Sequence, residues 1–278
     1  DRMKRIVDDN LCQVPAKWLS LRTGDSNGRV GWGGPVDEGR ARTVETAVEE
    51  LLDTYLLGED PTPIEDHWQT MYRGGFYRGG PVLMSAIAGI DQALWDLKGK
   101  QFGAPVHELL GGRARDRVRV YQWIGGDRPV DVGEAAREKV DAGFTALKMN
   151  ATAELRAVDA PAAVSDAVDR IAAVREAVGD EVDIGVDFHG RVSKPMARRL
   201  AAALAPSEPL FVEEPVLPEH NAWLPELAAK TTIPIATVER MYSRGDSQQG
   251  ADMGSAAVTE PHPSDGGGYT GGKTLLGR

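Results

Sequence analysis

From Val118 to about Arg244 the sequence repeats one pattern: a short apolar run, a polar break, a helical stretch, then another apolar run. Strand candidates are Arg119 to Trp123, Ala146 to Met149, Ile184 to Phe188, Leu210 to Glu213, Ile235 to Val238 and Ala256 to Thr259. Helix candidates between them are Val130 to Ala142, Ser165 to Val178, Pro195 to Ala205 and Trp223 to Lys230. Ser165 suits a helix start, and Gly179 a helix end. Consecutive strands separated by helices must run parallel, joined by right-handed crossovers. A closed barrel and an open doubly wound sheet both satisfy this spacing. In either case side chains that do chemistry belong at the carboxyl ends of the strands. The six candidate strands fall short of the eight of a complete barrel. After Arg244 the pattern breaks down: Gly245 to Ser255 is small and polar, and residues 264–278 are rich in glycine. The expectation is an α/β chain whose barrel is irregular after about residue 244 and incomplete at the C-terminal side, its end otherwise disordered.

The first 115 residues read differently. Leu19 to Arg22 and Arg29 to Trp32 alternate as strands around Asp25-Ser26-Asn27-Gly28, and Asn-Gly favours a hairpin turn. Helical periodicity follows at Thr43 to Leu56 and at Val82 to Lys98, where Ile87, Ile90, Ala93, Leu94 and Leu97 share a face. Residues 1–115 are therefore expected to form a small α+β domain, and 116–278 the β/α domain.

Composition excludes some partners. A formal net charge of −10 leaves no basic surface for phosphate backbones, so no nucleic-acid partner is expected. A single cysteine, Cys12, rules out an internal disulfide framework and suits a reducing compartment. No apolar stretch approaches the roughly 18–20 residues that cross a bilayer, and residues 1–30 lack a signal-peptide core. A cytoplasmic protein without a membrane partner is expected, and apolar helix faces suggest a homo-oligomer.

Three runs stop at an acid: Val182 to Val186 at Asp187, Leu210 to Val212 at Glu213 and Ile235 to Val238 at Glu239. They are spaced equally, 26 residues apart, which is one strand–helix–strand period. Equal spacing predicts that the three stand at one level on neighbouring strands. Such charges repel strongly unless a cation joins them, and an all-oxygen donor set suits Mg²⁺. His189 follows two residues after Asp187, on the same side if the strand continues. It can be a further ligand, a structural hydrogen-bonder or a general acid/base. Lys148 and Asn150, at another strand end, can contact substrate or serve structure.

These residues carry a resemblance. Val186-Asp187-Phe188-His189-Gly190-Arg191, Val212-Glu213-Glu214-Pro215 and Glu239-Arg240-Met241 resemble the enolase superfamily, in its mandelate racemase/muconate lactonizing type. They are most similar to its acid-sugar dehydratases, those acting on D-galactonate in particular. The early segments Gly31-Trp32-Gly33, Tyr72-Arg73-Gly74-Gly75-Phe76-Tyr77-Arg78-Gly79-Gly80 and Ile90-Asp91-Gln92-Ala93-Leu94-Trp95-Asp96 resemble that family's capping domain. The resemblance implies a capping domain followed by a TIM-type barrel. It implies Mg²⁺ held by Asp187, Glu213 and Glu239, an enediolate intermediate, and His189 as the acid that protonates a departing hydroxyl. The reaction implied is dehydration of an aldonate, galactonate first and gluconate or another sugar acid second, to a 2-keto-3-deoxy acid. Trp18, Lys148, Asn150, Arg240 and His262 are the implied substrate-binding candidates.

The sequence departs from the family in places. Its dehydratases take their base from a histidine on the seventh strand, oriented by an aspartate on the sixth. His262 stands at the aspartate's position, and the histidine's position is not in the chain. Val238 precedes Glu239 where glycine is usual. The resemblance with these departures implies either a slow dehydratase or a catalytically impaired relative that keeps the fold and metal site. Gly267 to Thr274 fits a phosphate-loop pattern, but no helix is expected to follow it.

Overall fold

The computed structural model describes residues 4–5, 19–35, 37, 39–125, 128–153, 155–237, 239–242, 256–260, 262 and 266–276. Trp18, Cys12, Val238 and the polar stretch 245–255 lie outside the described residues. The chain divides into two compact units. The first comprises residues up to Asp116 together with the described residues 240–242, 262 and 266–276, and the second spans Arg117–Glu239 with 256–260. The division at Asp116 falls beside the boundary expected at 115. The late residues that group with the first unit were expected in the second. No helix among the described residues is long and apolar enough to cross a membrane.

In the first unit, β1 (Lys4–Arg5), β2 (Leu21–Gly24) and β3 (Val30–Gly33) form an antiparallel sheet in that order. The expected turn closes the hairpin. Asp25 Oδ1 accepts from the backbone N–H groups of Asn27 and Arg29, each at 2.9 Å, and Gly28 supplies the positive φ. Helices α1 (Ala41–Leu51), α2 (Ile64–Arg73), α3 (Pro81–Phe102) and α4 (Val106–Leu109) follow, with a π-helical turn over Leu52–Leu56. Helix α3 begins at a proline and ends at Gly103 in the left-handed region, the usual start and stop chemistry. It is buried almost all round, with β3, α1 and α2 packed against it. A Cβ at Gly31 would meet the Ala93 carbonyl, and one at Gly33 the Gly89 carbonyl. Glycine on alternate strand positions, facing small residues four apart on the helix, lets the two backbones touch. The core gathers Val44, Leu52, Ile64, Met71, Ile87, Ile90 and Leu94.

A last helix, labelled α9 (Gly268–Leu276), packs on α3 in this unit. Its start is held by Asp91, whose Oδ2 accepts from Thr270 N at 3.0 Å. Trp95 Nε1 donates to Thr270 Oγ1 at 3.0 Å, and Trp68 Nε1 to Gly267 O at 2.7 Å. The glycine-rich end is thus ordered as a helix over Gly268–Leu276, against the expectation of an irregular segment. The phosphate-loop pattern falls almost entirely within that helix.

The second unit alternates β4 (Gln122–Trp123), α5 (Pro129–Asp141), β5 (Ala146–Asn150), α6 (Pro161–Val178), β6 (Asp183–Asp187), α7 (Lys194–Leu204), β7 (Phe211–Glu213), α8 (Leu224–Ala228), β8 (Ile235–Thr237) and β9 (Val258–Thr259). All neighbouring strands pair in parallel, in the sequential order β4 to β9. An order without reversal has no switch point, which distinguishes barrel winding from a doubly wound sheet. The sheet also curls. The Phe211 ring on β7 crosses over Gly185 and meets Tyr121 before β4, centroids 6.3 Å apart. Among the described residues no pairing joins β9 back to β4. The core of this unit packs Leu147, Met149, Ile184, Val186, Val212 and Ile235 of the strands with Ile171, Leu200 and Leu224 of the helices.

Candidate active site

Strand register decides which side chains can meet. Asp187 ends β6 and Glu213 ends β7, and the two are direct partners across the ladder. Asn150 ends β5 and partners Asp187. These three stand at one level. The next pairing breaks the expected series: Glu213 partners Ala236, so Glu239 lies three residues beyond that level. Equal spacing along the chain assumed equal crossovers, but the crossover from β7 to β8 is shorter than the one before it. Glu239 is half-buried, and no three His, Cys, Asp or Glu side chains among the described residues are gathered as a metal would require.

The space beside the two buried carboxylates is taken by Lys148. It sits two residues before Asn150 on β5 and therefore shares its face. Its Nζ lies 3.3 Å from Asp187 Oδ2, pairs with Glu213 Oε2, and is 3.9 Å from Glu260 Oε2 just after β9. The Tyr121 and Trp123 rings approach to 5.5 and 6.0 Å, within cation–π range. Burial works against the lysine's charge, yet Glu213 and Asp187 outweigh it and hold the ammonium well above the usual lysine range. Burial pushes the Glu213 carboxyl up, with Lys148 opposing in part. Glu260 escaped the sequence reading, although it too is an acid directly after a strand.

His189 reaches Asp187 by a different route from the one expected. The strand ends at Asp187, and His189 sits in a turn with φ +54°. Its backbone N–H donates to Asp187 Oδ1 at 2.5 Å, and ring Nδ1 lies 3.3 Å from Asp187 Oδ2. A carboxylate partner calls for the proton on Nδ1, leaving Nε2 on the exposed side of the ring. Glu214 also takes a positive φ, +42°, and its Oε1 accepts from Thr237 Oγ1 at 3.1 Å. Arg240 and His262 belong to the first unit, where the His262 carbonyl accepts from Gly266 N at 2.9 Å.

The donor chemistry fits a hard divalent cation. Asp187 and Glu213 present adjacent buried carboxylates, and Asn150 Oδ1 at the same level is buried with no hydrogen-bond partner among the described residues. Oxygen donors of this kind select Mg²⁺ over softer metals.

Two family models match the chain. One, described as enolase C-terminal domain-like, matches residues 131–277. The other, the mandelate racemase/muconate lactonizing enzyme N-terminal domain, matches residues 15–111. Among solved structures, a mandelate racemase/muconate lactonizing enzyme from Jannaschia sp. CCS1 is 30% identical, with a TM-score of 0.87 over 93% of this chain and 71% of that one. A member of the enolase superfamily from Salmonella Typhimurium is 28% identical, with a TM-score of 0.87 over 92% and 72%. A provisionally named dehydratase from Zymomonas mobilis ZM4 is 28% identical, with a TM-score of 0.89 over 94% and 73%.

Proposed function

The chain belongs to the enolase superfamily, in its mandelate racemase/muconate lactonizing enzyme branch, and on that premise we propose that it is a magnesium-dependent dehydratase of a sugar acid. The substrate class is an aldonate such as D-galactonate, and the product a 2-keto-3-deoxy acid. The observation that carries this reading is the pairing of Asp187 with both Glu213 and His189 at one strand end. Asp187 and Glu213 would hold the cation, with Glu239 as the third carboxylate. Bound there, Mg²⁺ supplies positive charge that acidifies the C–H beside the substrate carboxylate. In its imidazolium form, with Nδ1–H facing Asp187, His189 would give its Nε2 proton to the hydroxyl leaving the neighbouring carbon, which departs as water. Transfer of the C–H proton to a general base, together with departure of that hydroxyl as water, leaves an enol, which tautomerises to the 2-keto acid.

A second reading is a relative that keeps the fold without turnover, favoured by the displacement of Glu239 from the level of Glu213. One assay separates the two. The protein is incubated with a panel of aldonates and Mg²⁺, and 2-keto acid is measured, with Asp187→Asn as control. Formation from at least one aldonate, lost in the control, supports the dehydratase. Metal binding without product from any aldonate rejects it.

A further inference from the structure

We propose that Lys148 is an internal counter-ion occupying the cation position, so that a divalent metal binds only by displacing its ammonium group. This inference rests on the metal reading above and extends it to the metal-free protein. Three acids surround one nitrogen: Asp187 at 3.3 Å, Glu213 in direct ion-pair contact, and Glu260 at 3.9 Å. The lysine side chain is only 10% exposed, so its charge is largely removed from water and is compensated by these carboxylates.

A divalent cation held by Asp187 and Glu213 would compete with the ammonium group for that space. Two like charges a few ångströms apart repel strongly even at the effective dielectric of a protein surface. The displaced group has a destination. Tyr121 and Trp123 flank it on the β4 side, each 42% exposed, and aromatic faces hold an ammonium without a carboxylate. Metal binding is therefore an exchange of cations, and the lysine lowers the apparent affinity while it offsets the repulsion between two adjacent buried carboxylates.

The test is a Mn²⁺ titration of the full chain, read by the electron paramagnetic resonance of free Mn²⁺, on the wild type, Lys148→Met and Lys148→Gln. Removing the competing charge should tighten binding by roughly tenfold or more, the scale of one close charge. Mn²⁺ should also raise the melting temperature of either variant more than that of the wild type. Lys148→Gln covers the case in which the methionine variant does not fold without metal. Unchanged or weaker binding in the variants, with the wild type binding Mn²⁺, overturns the exchange. If neither wild type nor variants bind Mn²⁺, the metal reading fails and takes this inference with it.

Discussion

Replacing Asp91 with asparagine isolates the cost of a buried charge. Asp91 is fully buried on α3 and accepts from Thr270 N at the start of α9. Burial pushes its carboxyl up to about 6, against hydrogen bonds from Thr270, Tyr269 and Trp95 that favour the charged form. A folded pKa above the unfolded value means that the native state binds the proton more tightly. The group's contribution is most favourable below the unfolded pKa and is lost as pH rises through about 6. A shift of this size corresponds to about 3 kcal/mol of stability lost by neutral pH. Asparagine keeps an acceptor for Thr270 but never ionises. Its amide nitrogen would occupy the place of Asp91 Oδ1, which has no hydrogen-bond partner among the described residues, and that adds a fixed cost of about 1–3 kcal/mol. The fixed cost does not vary with pH, so the difference between the two proteins is the informative quantity. Urea unfolding followed by tryptophan fluorescence between pH 4 and 8 should show Asp91→Asn gaining on the wild type by about 2 kcal/mol across that range. Parallel stability curves would refute the argument that burial dominates at Asp91.

Three further substitutions test other links. With any aldonate that is turned over, His189→Asn should lower kcat by roughly 10²–10⁴-fold while Mn²⁺ affinity stays near that of the wild type; an unchanged kcat removes His189 from the chemistry. Gly33→Ala drives a methyl into the Gly89 carbonyl, backbone against backbone, and should prevent native assembly of the first unit, seen as loss of near-ultraviolet circular dichroism. Gly185→Ala places a methyl 2.7 Å from Phe211 Cζ and should cost about 1–3 kcal/mol in urea unfolding. Adding Phe211→Leu should recover part of that loss, and no recovery would mean that the strain lies elsewhere.

The β/α repeat was legible because buried parallel strands and amphipathic helices leave opposite periodicities in the chain. Strand ends at Asp187 and Glu213 followed from apolar runs that stop at an acid, and both proved to be the last residues of β6 and β7. The level of Glu239 did not follow, because chain distance fixes strand register only when successive crossovers have equal length. Helix α2 was missed although Ile64, His67 and Met71 share its buried face, since a histidine hides an apolar stripe. The α9 helix was unreadable locally. Its glycines disfavour helix, and what orders it is Asp91, far away in the chain. The site showed the same division. His189 was expected on the same side as Asp187 by strand alternation, but it reaches the Asp187 carboxylate through a left-handed turn that no alternation rule anticipates. Lys148 was noticed as a strand-end lysine, and its partnership with Glu260 required the curl of the sheet.

The anchoring of α9 on α3 has a consequence for the order of events at the ribosome. Trp68, Trp95 and Asp91 each close a contact with a residue more than 170 positions later, and Glu65 pairs with Lys273. Contacts this distant in sequence are slow to form and leave apolar surface waiting for its partner. The residues of the first unit up to Asp116 are translated before the second unit, yet its interior stays unfinished until the second unit has emerged and α9 follows it. Of the two, the unit made earlier is the one that completes its fold later.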